Sequence, residues 1–464
     1  MYFDPKSEYK VLSKKEIEKI HYFSLKILSE IGVKIPDDRF LKILSSRCIV
    51  DFTNKIVKFP LPLIEEVLDS IKKEKREIEI GEKIEIKGSV GGFTPNIYDF
   101  ERGRRKPVLE DAEKAVRIGN QIDEVSGNGI LFLPMDCIPY QDLWGWVVAL
   151  TRSIKPSSAP ILKKESLKPV VEMCEISGRK KPTYQCFISS PLRYPEDALD
   201  IAYEAINIGI NVNFGTPMAV LGATGPIEIA GTITLCNAET ISGWILNYIF
   251  NQPIKGYGGN PVSIDMRTGC GNYANPLTVI MNSAIPDLCR FYGLLPEGGH
   301  LGDTDSPVPG IKAAFERVFT SLISLIVFDT KRISFRIGVL GPAGSCGCLE
   351  QMVIDAEICR TLNKFFEGIE VSENNINYEL IKEVGIGGSF IDKEDTILKM
   401  RKIMFFPEIF SFFMNNISIN FEIENAIKKT KELLKREKFH PLSEDKEKEI
   451  FKIAQKVSGI KKEI

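Results

Sequence analysis

From about residue 89 onward the chain alternates short apolar runs with longer stretches whose apolar residues recur at helical spacing. The runs "SVGGF" (89–93), "GILFLPM" (129–135), "APILK" (159–163), "YQCFIS" (184–189), "VNFGT" (212–216), "IKGYGG" (254–259), "LLPEGG" (294–299) and "ISFRIG" (333–338) read as strands. Each is followed by a helical pattern, near 109–121, 142–153, 166–178, 196–208, 227–250, 276–292, 310–327 and 349–366. Eight strand–helix units in succession predict an α/β fold, a (β/α)8 TIM barrel, because parallel strands joined by helical crossovers close at about eight. The pattern at 227–250 is long for an outer helix.

The flanks read differently. In 1–88, "KKEIEKIHYFSLKILSEIG" is an amphipathic helix stopping at Gly32, "CIVDFTNKIVKF" is a hairpin turning at Thr53-Asn54, and "REIEIGEKIEIKG" alternates with period two. Residues 369–464 are helical and charged, with "ENAIKKTKELLKREK" as an exposed helix. The expected organisation is a mixed helix/strand segment (1–88) packed on a barrel (89–368), with a C-terminal helical extension (369–464) capping it.

Composition narrows the function classes. Of 464 residues, 44% are apolar and 26% charged, which suits a globular chain with a large core. Net charge is −2, from 60 basic and 62 acidic residues, which argues against nucleic acid or an anionic membrane as partner. The opening residues are polar, and no apolar run reaches the roughly 18 residues of a membrane span. Ten cysteines are scattered without paired zinc spacing; Cys346 and Cys348 read as small residues in a glycine-rich turn. These features together imply cytoplasm and reduced thiols. Of three histidines, only His300, beside Asp303 and Asp305, is placed for chemistry, which argues against a histidine zinc site. "GIGGSF" (385–390) lacks the Lys-Ser/Thr and preceding strand of a nucleotide loop.

In a barrel the loops after the strands build the site. The loop after the fifth strand carries Gly222, Ala223, Thr224 and Gly225, and Gly225-Pro226 opens the next helical pattern. Two readings stand. Backbone N–H groups and a helix N-terminus could receive a carboxylate, or the small residues could serve close packing alone.

The stretch "LGATGPIEIAGTITLCNAE" (221–239) resembles the signature of the trimethylamine methyltransferase family, corrinoid-dependent enzymes acting on methylamines and quaternary amines. In the same order come "YDFERGRRKPVLEDAEKAVRIGNQID" (98–123), "SSPLRYPEDAL" (189–199), "GGNPVSIDMRTG" (258–269), "PEGGHLGDTDS" (296–306), "EQMVIDAEI" (350–358) and "EVGIGGSFIDKEDT" (383–396). The resemblance spans about residues 10–455. It departs at Asp395, where the family often has His, and in "GPAGSCGCLEQ", a shorter loop than usual. It implies a (β/α)8 barrel that moves a methyl group to the cobalt(I) of a corrinoid. That corrinoid is carried by a cognate partner protein, none being bound tightly by this chain, and the enzyme is expected to be a homo-oligomer. Trimethylamine-demethylating members carry pyrrolysine; here every position is an ordinary residue. A quaternary amine already bears the positive charge that makes a methyl group transferable, so the donor implied is a small quaternary amine of the glycine betaine type.

Such a donor needs aromatic faces around its trimethylammonium group. Phe187, Phe214, Tyr257 and Phe335 sit late in proposed strands, although strand faces alternate and some must point to the helices. Asp136 and Glu297, ending strands two and seven, could balance the cation, and His300 could act beside them. Arg267 in "DMRTG" could grip a substrate carboxylate or pair with Asp265. Three competing readings are an unrelated barrel enzyme, a non-catalytic quaternary-amine binder, and a trimethylamine-type methyltransferase. The first commonly uses a Schiff-base lysine, and no lysine ends strand six or seven.

Overall fold

The computed structural model describes residues 10–74, 85–294, 302–327, 332–411, 418 and 420–462, with side chains described for all but 85 and 332–335. The architecture is mixed α/β, and its strands are parallel where the sequence places strand–helix units. Strand Glu85–Val90 is the centre of one ladder. It pairs in parallel with Arg332–Ile337 on one side and Val125–Asn128 on the other. The eighth expected strand is thus hydrogen-bonded to the first, the contact a ring requires. The second extends to the third through Asn128 N–H to Pro156 O (2.7 Å) and Ile130 N–H to Ser158 O (3.0 Å). Thr183–Phe187 pairs in parallel with Asn211–Gly215, matching Phe187 to Gly215. The fifth continues to the sixth through the parallel bridge Val220 to Val262. Pairing among the described residues does not complete a closed barrel.

Helices follow where periodicity puts them: Leu109–Asn120, Gln141–Arg152, Leu167–Ser177, Glu196–Asn207, Ile229–Ile249, Ile311–Val327 and Leu349–Phe366. The pattern at 276–292 resolves into two helices, Pro276–Ser283 and Ile285–Tyr292. Pro286 lies in the first turn of the second, where its missing N–H costs nothing, but it could not continue the first helix.

The length of Ile229–Ile249 has a packing cause. Its apolar character runs all round, and fifteen of its residues are buried. One side lies on the strands; the other is covered by N-terminal helices Lys14–Lys26 and Leu61–Lys73. Asn237 Nδ2 donates to Ser24 Oγ (2.9 Å) and to Tyr292 Oη (2.9 Å), fastening the leader to this helix. Close approach to the strand depends on Gly243, where an added Cβ would stand 2.4 Å from Phe214 O. The leader helix starts in a Ser13–Glu16 capping box. Its last turn widens through Ile27–Ile31 to Gly32, whose φ of 84° suits glycine. The hairpin follows as expected, Ile49–Asp51 pairing antiparallel with Ile56–Lys58.

The C-terminal helices pack on other helices. Phe421–Lys435 buries Ala426, Thr430 and Leu433 against helices Leu349–Phe366 and Leu109–Asn120, so only one face of the "exposed" helix is exposed. Glu444–Ser458 lies on Gln141–Arg152 and Leu167–Ser177, and buried Arg152 pairs with Glu447 at 2.6 Å. Both helices form a further layer over the helices they cover.

Candidate functional site

Strand parity decides which side chains meet a ligand. In Thr183–Phe187, Tyr184 and Cys186 are buried against the helices, whereas Gln185 and Phe187 occupy the other face and are exposed. That face is polar and open. Gln185 Oε1 accepts from Asn213 Nδ2 (2.9 Å) on the neighbouring strand, and Thr183 Oγ1 accepts from Lys255 Nζ (3.1 Å). Phe187, 54% exposed, is the aromatic this face presents at its C-terminal end.

Two of the other proposed aromatics lie elsewhere. Phe214 points to the helical layer, packed on Phe40, Tyr194 and Phe250. Tyr257 is buried against Trp244 and donates to Asn237 Oδ1 (3.0 Å). Apolar strand positions sink toward the helices because both helix and strand shed water there. The side chain of Phe335 lies outside the described residues, as do Glu297 and His300.

The remaining expected residues have local duties. Asp136 accepts from Leu109 N–H (2.9 Å) at the start of a helix and pairs with Lys462 (2.6 Å). Arg267 is 88% exposed at a hairpin tip and pairs with Asp265 (2.7 Å), whose carboxyl it pulls down to about 2. In the signature loop, Val220 O accepts the N–H groups of Ala223 (2.9 Å), Thr224 (3.0 Å) and Gly225 (2.9 Å), while Gly222 N–H reaches Gly225 O (3.1 Å). The amides expected to greet a ligand are consumed by the turn itself. The helix begins at Ile229, not at Pro226. Packing explains the small residues: a Cβ on Gly225 would meet Thr232 Oγ1 at 2.7 Å, and one on Gly222 (φ 75°) would meet Ile227 Cδ1 at 2.8 Å.

Asp303 and Asp305, noted beside His300, join a cluster with Arg336 of the eighth strand. Arg336 leaves the eighth strand with its side chain 32% exposed. Its Nε donates to Asp303 Oδ1 (3.0 Å), its Nη2 donates to Asp303 Oδ2, and its guanidinium lies 5.5 Å from the centre of the Tyr273 ring. Tyr273 in turn donates to Met218 Sδ (3.6 Å), which is exposed just past the fifth strand. Burial works against the Arg336 charge, but Asp303 more than restores it and holds the group above its ordinary value. Beneath lies Arg317, fully buried, with Nε 3.3 Å from Asp355 and Nη1 3.7 Å from Asp303. Both carboxylates, Asp303 and Asp305, are engaged within the fold. Asp303 serves two arginines, and Asp305 accepts from Tyr273 N–H and Ala274 N–H (both 2.8 Å). A charge at a strand position flanked by apolar residues, as in "ISFRIG", was the available signal.

Glu239, inside the signature helix, holds the loop after the fourth strand. Its carboxylate accepts from Ser190 Oγ and Leu192 N–H, both at 2.7 Å. Burial pushes its carboxyl from an ordinary 4.5 up to about 7. Because the folded value is the higher, the neutral form is favoured by folding. That stability is complete below 4.5 and lost as pH rises through about 7. Relative to Glu239→Gln, the wild type should therefore lose melting temperature across this window; a constant difference on both sides of it would refute the assignment.

Comparison with known proteins settles the lineage. The family model described as trimethylamine methyltransferase (MTTB) matches residues 3–451. This chain belongs to the trimethylamine methyltransferase family. Its relatives include a glycine betaine methyltransferase of Desulfitobacterium hafniense (strain Y51), 27% identical over 430 residues and 87% of each chain. They also include the trimethylamine methyltransferase MttB of Desulfitobacterium hafniense (strain DSM 10664 / DCB-2), 26% identical over 409 residues, covering 84% of this chain and 81% of the relative. Among solved structures, the monomethylamine methyltransferase MtmB of Methanosarcina barkeri aligns over 93% of this chain and 90% of its own, with a TM-score of 0.49 and 14% identity. Among the described residues no helix is long and apolar enough to cross a membrane.

Proposed function

We propose that this methyltransferase-family chain moves a methyl group from a small, carboxylate-bearing quaternary amine to the cobalt(I) of a corrinoid carried by a separate protein. The observation that carries this reading is the family match over 3–451 in a chain of ordinary residues, without pyrrolysine. An already cationic nitrogen leaves as a neutral tertiary amine, so the enzyme's task is orientation and desolvation rather than activation. Phe187 offers a ring face to the trimethylammonium group, and Arg336 offers a fixed cation to the carboxylate. The parallel strands, with the last hydrogen-bonded to the first, belong in this reading to a (β/α)8 barrel whose loop face receives the corrinoid protein. Ten cysteines, nine of them buried, fit a reducing cytoplasm.

The test is spectroscopic. Mixing the chain with a reduced corrinoid protein and a betaine should convert the cobalt(I) spectrum to that of methylcobalt. Trimethylamine in its place should leave cobalt(I) unchanged. Methyl transfer from trimethylamine alone would overturn the donor assignment, and no transfer from any quaternary amine would overturn the activity.

A further inference from the structure

The fifth strand changes parity at its end. Within Asn211–Gly215, Asn211 is exposed and Asn213 half-buried, while Val212 and Phe214 are buried. Beyond it the open positions are Thr216 and Met218, and Pro217 and Ala219 are buried. Two successive buried residues, Phe214 and Gly215, mark the shift. Its cause lies in the backbone, where φ is 100° at Gly215 and 59° at Thr216. Glycine takes such angles readily, but a β-branched residue there is strained and stays so only where its surroundings impose it.

The sixth strand imposes it. A Cβ on Gly258 would stand 3.0 Å from the Cα and the N of Thr216, so the two backbones are in close contact. Asn260 N–H donates to Pro217 O (2.9 Å) and Val262 N–H donates to Ala219 O (2.9 Å), which pins the chain on both sides of Met218. One irregular residue in a strand sends every later side chain to the opposite face. Had the alternation of Asn211 and Asn213 continued, Met218 would be buried. The strain therefore has a product, an exposed thioether just past the strand.

Met218, 43% exposed, links the two groups assigned to the donor. On one side, Gly215 of its own strand is paired in register with Phe187. On the other, Met218 Sδ accepts from Tyr273 Oη (3.6 Å), and the Tyr273 ring lies 5.5 Å from the guanidinium of Arg336. Methionine fills irregular space, and here its sulfur is held by a hydroxyl.

We propose that Met218 sets the length of donor this site accepts. The inference rests on the reading above, in which Phe187 faces the trimethylammonium group and Arg336 takes the carboxylate. With the thioether between them, a betaine with a short spacer reaches both groups, whereas a longer one must buckle or displace Met218. The residue acts by volume: it determines specificity and takes no part in the chemistry.

Calorimetric titration of the full chain with trimethylammonioacetate and with 4-(trimethylammonio)butanoate tests it. The wild type should bind the acetate more tightly. Met218→Ala removes the thioether arm and should shift the ratio of the two dissociation constants toward the butanoate by at least about tenfold, the discrimination that a misfitted methylene supplies. Met218→Leu, of similar volume, should keep the wild-type ratio. Because each ratio compares two ligands on one protein, a general loss of affinity or stability cancels. An unchanged ratio in Met218→Ala overturns the inference and leaves the donor reading intact. So does a leucine variant that shifts as far as alanine, or a wild type that prefers the butanoate. A wild type that binds neither betaine overturns the donor reading, and this inference with it.

Discussion

Arg317→Met is expected to cost about 3–5 kcal/mol of folding stability, a large share of the roughly 5–15 kcal/mol available to a protein. The guanidinium has no exposed surface. It donates to Gly302 O and Val339 O, stands 3.3 Å from Asp355, and lies 3.7 Å from Asp303. Asp355 is equally buried, and burial pushes its carboxyl above the ordinary range. Gly338 N–H and Gln351 Nε2 already donate to it at 2.8 and 2.7 Å. Removing Arg317 leaves that carboxylate without its counter-charge and two backbone carbonyls without donors. Lysine cannot substitute, since one ammonium cannot serve four acceptors spread around a planar fork. Denaturant midpoints of wild type, Arg317→Met and Arg317→Lys check this. A loss under about 1 kcal/mol for Met would show that the cluster contributes specificity rather than stability.

The same cluster shows where the sequence could be read and where it could not. Helices were legible because their apolar residues repeat over many turns: Leu349–Phe366 and Glu196–Asn207 lie within a residue or so of the periodic pattern. The signature loop was legible as a tight structure, but its use was not. Whether Gly225 faces a ligand or Thr232 depends on a contact seven residues away. Strand parity was the larger obstacle. Tyr184, Cys186 and Phe187 lie in one short run, and their apolar character alone does not say that the first two face helices. A search for aromatics therefore selected Phe214 and Tyr257, which are apolar and so belong to the helical side. The strand face turned away from the helices is marked instead by polar residues that interrupt apolar runs, such as Gln185 and Asn213. In a parallel strand sheathed by helices, the polar interruption is the informative position.

Arg336 converts that lesson into a measurement. Its guanidinium is held in place by Asp303 and lies over Tyr273, yet nearly a third of the side chain remains open. A charge-assisted hydrogen bond to a ligand carboxylate is worth about 1.5–3 kcal/mol. Arg336→Met should therefore raise the dissociation constant of a carboxylate-bearing quaternary amine by about 10- to 150-fold. The alcohol analogue of the same trimethylammonium compound lacks the carboxylate and should bind both proteins alike. Arg336→Lys should recover part of the loss, since a point charge remains without the fork. Asp303 keeps Arg317 in the variant, so the melting temperature should fall far less than for Arg317→Met. Calorimetric titration of the two ligands against the three proteins separates the cases. Equal weakening of acid and alcohol would mean that Arg336 shapes the pocket without touching the carboxylate, and the ligand would then be sought among quaternary amines that carry none.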